Sequence, residues 1–316
     1  MQKPEINMMF FAPGGFFNEK QLKSSLSEIR QHGADSVCSN FLEDPFMVSE
    51  VAQFAQLAHK AGLRFYAMPG RVAGLFAAGP RLVSPFLTAH PEARALDAAG
   101  NPRAGDSGPA ACLNHPEFIK WFYPFIRGMI EGCRADGILF DEPKTTRLPC
   151  HCALCRAMAG NDEEALLELR ERSFAAMLNR AAEEVKALGA DKTTLAMLMP
   201  ATKLSFVEKL AGQSAIDVIG VDGPIRSEVT KKESIFDSAP RFHEIIRRHG
   251  KRPFVLVETF EMTGPDQAFL DEKMPRVPEL KADVYSFNYY GHANSDPERV
   301  MQAVWSGMDA VKRMGQ

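Results

Sequence analysis

The chain has 316 residues, of which 45% are hydrophobic and 24% are charged, a composition typical of a soluble globular protein with a large core. The formal net charge is −3 and the basic residues are scattered, so we expect no nucleic-acid partner. The sequence has no basic N-terminal segment leading into an apolar stretch and no run of ~18 apolar residues. We therefore expect a cytoplasmic protein with no membrane association.

Short apolar, β-rich runs alternate with helical periodicity along the whole chain. The predicted strands are Ile6–Ala12, Ser36–Asn40, Arg64–Pro69, Gly137–Asp141, Thr194–Pro200, Val218–Asp222, Phe254–Glu258 and Val284–Tyr289. The predicted helices are Glu19–Gln31, Val48–Lys60, Pro116–Arg134, Glu163–Ala187, Lys203–Leu210, Arg241–His249, Pro297–Lys312 and a weaker one at Met274–Leu280. This alternation predicts an α/β protein in which residues 1–316 form one domain, a (β/α)8 TIM barrel. A doubly wound open sheet is the alternative, but no Gly-x-Gly-x-x-Gly turn follows the first strand.

Two long segments interrupt the regular spacing, residues 71–111 after the third strand and residues 143–161 after the fourth. Both follow the carboxyl ends of strands. In a TIM barrel these ends form the catalytic face, where long loops build the pocket. We therefore expect the functional site on that face.

Two strands end on glutamates that would stand at the barrel mouth. Glu142 follows the apolar run Gly137–Asp141 and precedes Pro143, and Glu258 ends the run Phe254–Glu258. Carboxyl groups about 5 to 5.5 Å apart could cleave a glycosidic bond with retention, whereas a wider gap would admit water and give inversion. Asp141 is either a third catalytic carboxylate or a residue that organises the mouth.

Other polar and aromatic residues lie at or just beyond strand ends. Those expected to bind substrate are Asn40, Arg71, Asp222, Tyr289, Tyr290 and His292. Aromatic and amide groups together suit a carbohydrate, which offers faces for stacking and hydroxyls for hydrogen bonds. For the tyrosine pair, packing at the barrel rim is the open alternative.

Three cysteines lie within six residues, Cys150, Cys152 and Cys155, a spacing that can wrap one tetrahedral Zn²⁺ ion. Cys112 is the best candidate for the fourth ligand, with His115 and His151 as alternatives. Four thiolates leave no open coordination position, so we expect a structural zinc that ties the two long segments together.

The order of these motifs resembles the glycoside hydrolase family 42 β-galactosidases. The residues that carry the resemblance are Cys112-Leu113-Asn114-His115-Pro116-Glu117-Phe118, Asp141-Glu142 and Cys150-x-Cys152-x-x-Cys155. The resemblance implies a retaining glycosidase of clan A in which Glu142 is the acid/base, Glu258 is the nucleophile and the cysteine loop holds zinc. The match is restricted to the stretch from Cys112 to Arg156, and Asp141 stands where the clan has asparagine. We therefore interpret the chain as a distant, barrel-only relative.

The sequence thus favours a glycosidase acting on a carbohydrate substrate. One alternative is a methyltransferase-like barrel with a catalytic zinc, which would need an open coordination site. Another is a carbohydrate-binding barrel that has lost catalysis. The sequence leaves the sugar and the oligomeric state open, with a homo-oligomer as one option.

Overall fold

The computed structural model describes residues 3–10, 18–41, 43, 46–77, 83–105, 108–144, 146–225 and 233–314. Eight parallel strands form a closed barrel in chain order, and the last strand pairs with the first through Glu5 and Val284. The strands are β1 Glu5–Phe10, β2 Ser36–Phe41, β3 Arg64–Pro69, β4 Gly137–Asp141, β5 Thr193–Leu198, β6 Val218–Pro224, β7 Arg252–Glu258 and β8 Val284–Tyr289. The predicted TIM barrel is confirmed.

Helices alternate with these strands. They are α1 Glu19–Gln31, α2 Phe46–Lys60, α3 Pro85–Ala89, α4 Pro116–Cys133, α5 Ala153–Ala159, α6 Glu163–Lys186, α7 Leu204–Ala211, α8 Ile235–Arg248, α9 Asp266–Lys273 and α10 Pro297–Arg313. Short 3₁₀ helices cover Val72–Gly74, Pro91–Ala93 and Met274–Leu280. Among the described helices, none has the length and apolar character needed to cross a membrane.

A few element boundaries differ from the prediction. Strand β5 ends at Leu198 rather than Pro200, and α8 begins at Ile235 rather than Arg241. Pro240 lies inside α8, and proline normally interrupts a helical pattern. Residues 11 and 12 of the predicted first strand lie outside the described residues.

Helix α1 shows how sequence pattern and burial agree. Leu22, Leu26 and Ile29 recur at helical spacing and are all buried, as expected for the apolar stripe of a helix that covers a barrel. The side chain of Asn18 accepts hydrogen bonds from the first backbone N–H groups of the helix, which stabilises its N-terminus.

Side chains along each strand alternate between the barrel interior and the helix layer. The apolar interior cluster consists of Met9, Cys38, Tyr66, Met68, Leu139, Leu195, Met197, Val218, Phe254, Leu256 and Val284. Every second residue of a strand faces the same side, so the interior positions can be followed along each strand to its carboxyl end. At the mouth they are Asn40, Asp141, Asp222, Glu258 and Asn288. The interior is therefore apolar at its centre and polar at the carboxyl ends of the strands.

The two long segments predicted to build the mouth are joined by backbone hydrogen bonds. Ala77 N–H donates to the carbonyl of Asp141 at 3.0 Å, and Lys144 N–H donates to that of Leu75 at 2.7 Å. Further out, His151 N–H donates to the carbonyl of Leu96 at 2.9 Å. These bonds fix the chain on both sides of Glu142 against the segment that follows β3.

Candidate active site and thiol cluster

Three buried carboxylates meet at the barrel mouth: Glu142 directly after β4, Asp222 in β6 and Glu258 at the end of β7. Each contributes an oxygen that lies within 4.8 Å of the other two, and their relative exposures are 8%, 3% and 8%. At an effective dielectric constant near 20, two unit charges at this distance repel by on the order of 3 kcal/mol. The cluster therefore favours binding a proton or a cation.

Glu142 has a strained backbone. Its φ is +39°, in the left-handed region that residues with a Cβ rarely adopt. Its N–H donates to the carbonyl of Met197 in β5 at 2.9 Å, so the strand ladder continues through this residue. Such conformations persist only where the surroundings hold them and are common at functional sites.

Lys144 is a member of the site that the sequence analysis missed. Its ammonium donates to Oε2 of Glu142 and lies 3.4 Å from the sulfur of Met199, and its side chain is 14% exposed. An ammonium on Glu142 stabilises the ionised form of that carboxylate. Its position two residues after Glu142, beyond Pro143, was the available signal.

Asp141 points into the barrel and is almost fully buried. Burial, followed by the negative charge of Glu142, raises the pKa of Asp141 to about 8. The positive charges of Lys144 and Arg71 oppose this shift. Asp141 is therefore a neutral carboxylic acid over much of the physiological pH range. The structure places Arg71, another predicted site residue, close enough to act on it.

Two interior asparagines carry amide atoms without hydrogen-bond partners among the described residues. Both Nδ2 and Oδ1 of Asn40 are of this kind, and so is Nδ2 of Asn288. The other amide atom of Asn288 accepts from the N–H of Thr259 at 3.0 Å. Because buried polar atoms in native proteins almost always have partners, these amides indicate a site for a polar ligand. Asn288 was not among the predicted site residues.

Tyr289 does not line the pocket, contrary to the prediction. Its hydroxyl donates to Glu28 on α1 at 2.8 Å, and its ring stacks on Phe10 with centroids 5.2 Å apart. Val284 faces the interior, so Tyr289, an odd number of positions further along β8, faces the helix layer.

Tyr290 and His292 also lie outside the carboxylate cluster. The hydroxyl of Tyr290 donates to the carboxylate of Glu298 on α10 at 2.9 Å. His292 is exposed, and its ring stacks on Phe260 at 4.3 Å. The alternative for Tyr290, packing at the rim, describes its contacts better than a place in the pocket.

The four cysteines singled out in the sequence come together. The sulfurs of Cys112, Cys150, Cys152 and Cys155 all lie within 4.8 Å of one another. Cys112 is 3.6 Å from Cys152 and 3.5 Å from Cys155. A tetrahedral site with Zn–S bonds of about 2.3 Å has sulfurs about 3.8 Å apart, so the thiols fit such an ion.

The two histidines considered as alternative ligands make other contacts. His115 caps α4, where its Nδ1 accepts from the N–H of Glu117 at 3.3 Å. His151 lies 3.1 Å from the carboxylate of Glu163. Neither histidine belongs to the four-thiol group.

Polar residues surround the thiol cluster. The amide of Asn114 donates to the sulfur of Cys155 at 3.6 Å. Arg170 is buried, donates to the carbonyl of Ala111 at 3.0 Å and lies 4.9 Å from the ring of Phe174. Burial lowers the pKa of Arg170, and the nearby cysteines oppose that shift through their negative charge. A buried cation here would offset the net negative charge of a metal bound by four thiolates.

No protein-family model and no curated protein matches the sequence. Among solved structures, the β-galactosidase of the haloarchaeon Halorubrum lacusprofundi aligns with a TM-score of 0.71 at 12% identity, over 96% of this chain and 57% of that one. The β-galactosidase of Bacillus circulans sp. alkalophilus aligns with a TM-score of 0.71 at 13% identity, over 99% and 56%. The catalytic domain of β-amylase from Paenibacillus polymyxa aligns with a TM-score of 0.65 at 9% identity, over 98% and 97%.

These similarities show a shared barrel fold. The chain spans just over half the length of the two β-galactosidases and nearly all of the β-amylase catalytic domain. At such low identity, fold likeness alone does not carry function from one protein to another.

Proposed function

We propose that this protein hydrolyses a glycosidic bond, with Glu142 as the proton donor and Glu258 as the nucleophile. The observation that carries the proposal is the meeting of these two buried glutamates, with oxygens within 4.8 Å, at the mouth of a TIM barrel. This separation is compatible with the about 5 to 5.5 Å of retaining glycosidases and shorter than the about 6.5 to 9.5 Å of inverting ones.

The proposed reaction has two steps. Glu258 attacks the anomeric carbon while the glycosidic C–O bond breaks and Glu142 gives its proton to the leaving oxygen. Water then attacks the glycosyl-enzyme, Glu258 is released, and Glu142 takes the proton from that water. The ammonium of Lys144 on Glu142 favours the ionised form that the second step needs.

A carbohydrate substrate suits the remaining groups at the mouth. The free amide atoms of Asn40 and Asn288 offer hydrogen bonds to hydroxyls. The neutral carboxyl group of Asp141 can both donate and accept. Tyr289 and Tyr290 bond to Glu28 and Glu298 on the surrounding helices and have no stacking role in this proposal. The glycosidases among the structures of similar fold support the assignment by analogy only.

We further propose that Cys112, Cys150, Cys152 and Cys155 hold a structural zinc. The separations of the sulfurs fit one tetrahedral ion, and four thiolates would leave no position for water or substrate. This closed ligand set disfavours the methyltransferase-like alternative, which needs an open position. The ion would hold the chain after Glu142 against the segment that precedes α4.

A panel of aryl glycosides at neutral pH tests the proposed function. We expect Glu258→Gln to lower kcat by roughly 1,000-fold or more, while Glu261→Gln, an exposed glutamate three positions further along the chain, serves as the matched control and leaves kcat unchanged. Glu142→Gln should impair substrates with poor leaving groups far more than activated aryl glycosides, which need little protonation.

Trapping with a 2-deoxy-2-fluoro glycoside tests the covalent step. Peptide mass spectrometry should then find the sugar on Glu258. Full turnover by Glu258→Gln would refute the assignment. Sugar binding without hydrolysis by the unmodified protein would favour a carbohydrate-binding barrel.

A further inference from the structure

Asp222 is the third carboxylate of the cluster, and a two-glutamate mechanism gives it no task. We propose that Asp222 is protonated and, as a hydrogen-bond donor between the other two carboxylates, positions Glu142 and Glu258. The positioning role of Asp222 rests on the proposed function. The protonation of Asp222 does not. Asp222 is then a positioning residue, because it transfers nothing to the substrate.

A proton or a cation in the cluster would relieve the repulsion between carboxylate oxygens that lie within 4.8 Å of one another. Ionised carboxylates only accept hydrogen bonds, so Asp222 can join either glutamate only if one partner carries a proton. A proton on Asp222 removes the repulsion that Asp222 would exert on the ionised Glu258 and, once Glu142 has given up its own proton, on Glu142. A proton on either glutamate would leave Asp222 charged at the most buried position.

The surroundings of the three carboxylates select Asp222 as the site of that proton. Glu142 receives the ammonium of Lys144, which favours its ionised form. Asp222 has the lowest exposure of the three, and its Oδ1 has no hydrogen-bond partner among the described residues. The pKa of Asp222 is raised well above its ordinary value by burial, then by the charges of Glu142 and Glu258.

Among the described residues, Asp141, Lys144 and Arg71 are further charged groups at the mouth, and the positive charges of Lys144 and Arg71 oppose the rise in the pKa of Asp141. Four acids therefore face two basic residues within one buried site. Full ionisation of the four acids would give these six groups together a net negative charge. Protons on Asp222 and Asp141 reduce that charge.

The proton on Asp222 is conserved through the proposed reaction. Glu142 loses its proton to the leaving oxygen and regains one from the attacking water, so the proton balance closes without Asp222. When Glu258 becomes an uncharged ester, the hydrogen bond from Asp222 can pass to Glu142. Asp222 thus donates to Glu258 before the attack, when Glu258 is ionised, and to Glu142 in the glycosyl-enzyme, when Glu142 is ionised.

Infrared difference spectroscopy tests the protonation without any substrate. The spectrum of the unmodified protein minus that of Asp222→Asn at neutral pH should contain the C=O stretch of a protonated carboxylic acid. The matched comparison is Asp191→Asn, which changes an exposed aspartate in the turn before β5 and should give no such band. If the Asp222→Asn difference contains only carboxylate bands, Asp222 is ionised and the proposal is wrong.

Kinetics test the positioning role. Asparagine is isosteric with a neutral aspartic acid and keeps a donor, so Asp222→Asn should retain kcat within about tenfold. Asp222→Ala removes the donor and should lose about 100-fold or more, with circular dichroism showing whether it is folded. If Asp222→Asn folds and is as inactive as a catalytic-glutamate variant, the carboxylate itself is required and the positioning role fails.

A bound divalent cation is the competing way to hold three carboxylates together. Calorimetric titration of the metal-stripped protein with Mg²⁺ and with Mn²⁺ should give the same result for the unmodified protein and for Asp222→Asn. Cation binding that is present in the unmodified protein and lost in Asp222→Asn would show that a cation, rather than a proton, lies among the three carboxylates. That result would overturn the inference. If the acid band is present and no aryl glycoside is hydrolysed, the proposed function fails while the protonation of Asp222 stands.

Discussion

Replacing Asp141 by asparagine should change how the stability of the protein depends on pH. The pKa of Asp141 lies at about 8 in the fold, against an ordinary value of 3.8. Between these values the folded chain keeps the proton and the unfolded chain loses it. The folded state thus binds more protons, so the contribution of Asp141 to stability falls as pH rises through this window and levels off above about pH 8.

The expected size follows from the width of the window. Each pH unit within it costs about 1.4 kcal/mol, so raising the pH from 5 to 7 should remove about 3 kcal/mol of stability through this residue alone. Asparagine has the same shape as the neutral acid and does not titrate. The advantage of Asp141→Asn over the unmodified protein should therefore grow by about 3 kcal/mol between the two pH values.

Urea unfolding at pH 5 and at pH 7, followed by linear extrapolation, measures this difference. The exposed Asp191 provides the control, since Asp191→Asn should show nearly the same difference from the unmodified protein at both pH values. If the difference between Asp141→Asn and the unmodified protein stays constant from pH 5 to pH 7, Asp141 is ionised throughout. The account of the site as holding a neutral acid beside Glu142 would then be incorrect.

Three further outcomes are expected. Metal analysis of reduced protein should find about one zinc per chain, and Cys152→Ser should lower both the zinc content and Tm; a metal-free unmodified protein would contradict this. Arg170→Met should make a chelator remove the zinc faster while the four thiols stay in place, because a buried counterion is lost; unchanged release would mean that Arg170 only packs. Tyr289→Phe should reduce stability by about 1 kcal/mol by breaking its bond to Glu28 and leave kcat unchanged; a large loss of turnover would return Tyr289 to the pocket.

The barrel could be predicted because its signals are local and repeated. Each strand is a short apolar run, and boundary errors of two residues at Leu198 and six at Ile235 leave the number of strands unchanged. Helix α9, Asp266–Lys273, could not be predicted in the same way, because its buried residues are Asp266, Gln267 and Leu270, of which only Leu270 is apolar. Its position is set by packing against its neighbours rather than by its own periodicity.

Some candidate site residues could be selected from the sequence by their residue type and their position along the chain alone. Glu142 follows Asp141 at the end of an apolar strand, and Glu258 directly follows the apolar run Phe254–Val257. The close spacing of Cys150, Cys152 and Cys155 is typical of ligands to a single ion. The pocket lining was predicted less well because it depends on which face of a strand a residue occupies. Counting in twos from Val284 would have selected Asn288 and rejected Tyr289. The position of Lys144 two residues after Glu142 makes it a candidate, but the sequence does not predict the strained backbone of Glu142 beside which the two side chains meet.

The thiol cluster also bears on the order in which the protein is assembled. Its members are at most 43 positions apart, and the ribosome has synthesised all of them by Cys155, about halfway along the chain. The barrel, by contrast, closes only when β8, more than 100 positions further along the chain, has been synthesised and pairs with β1. A nascent chain could therefore capture zinc around α4 and β4 while the second half of the barrel is still absent. Zinc supply during translation would then influence how much of the chain folds, apart from any effect on the finished protein.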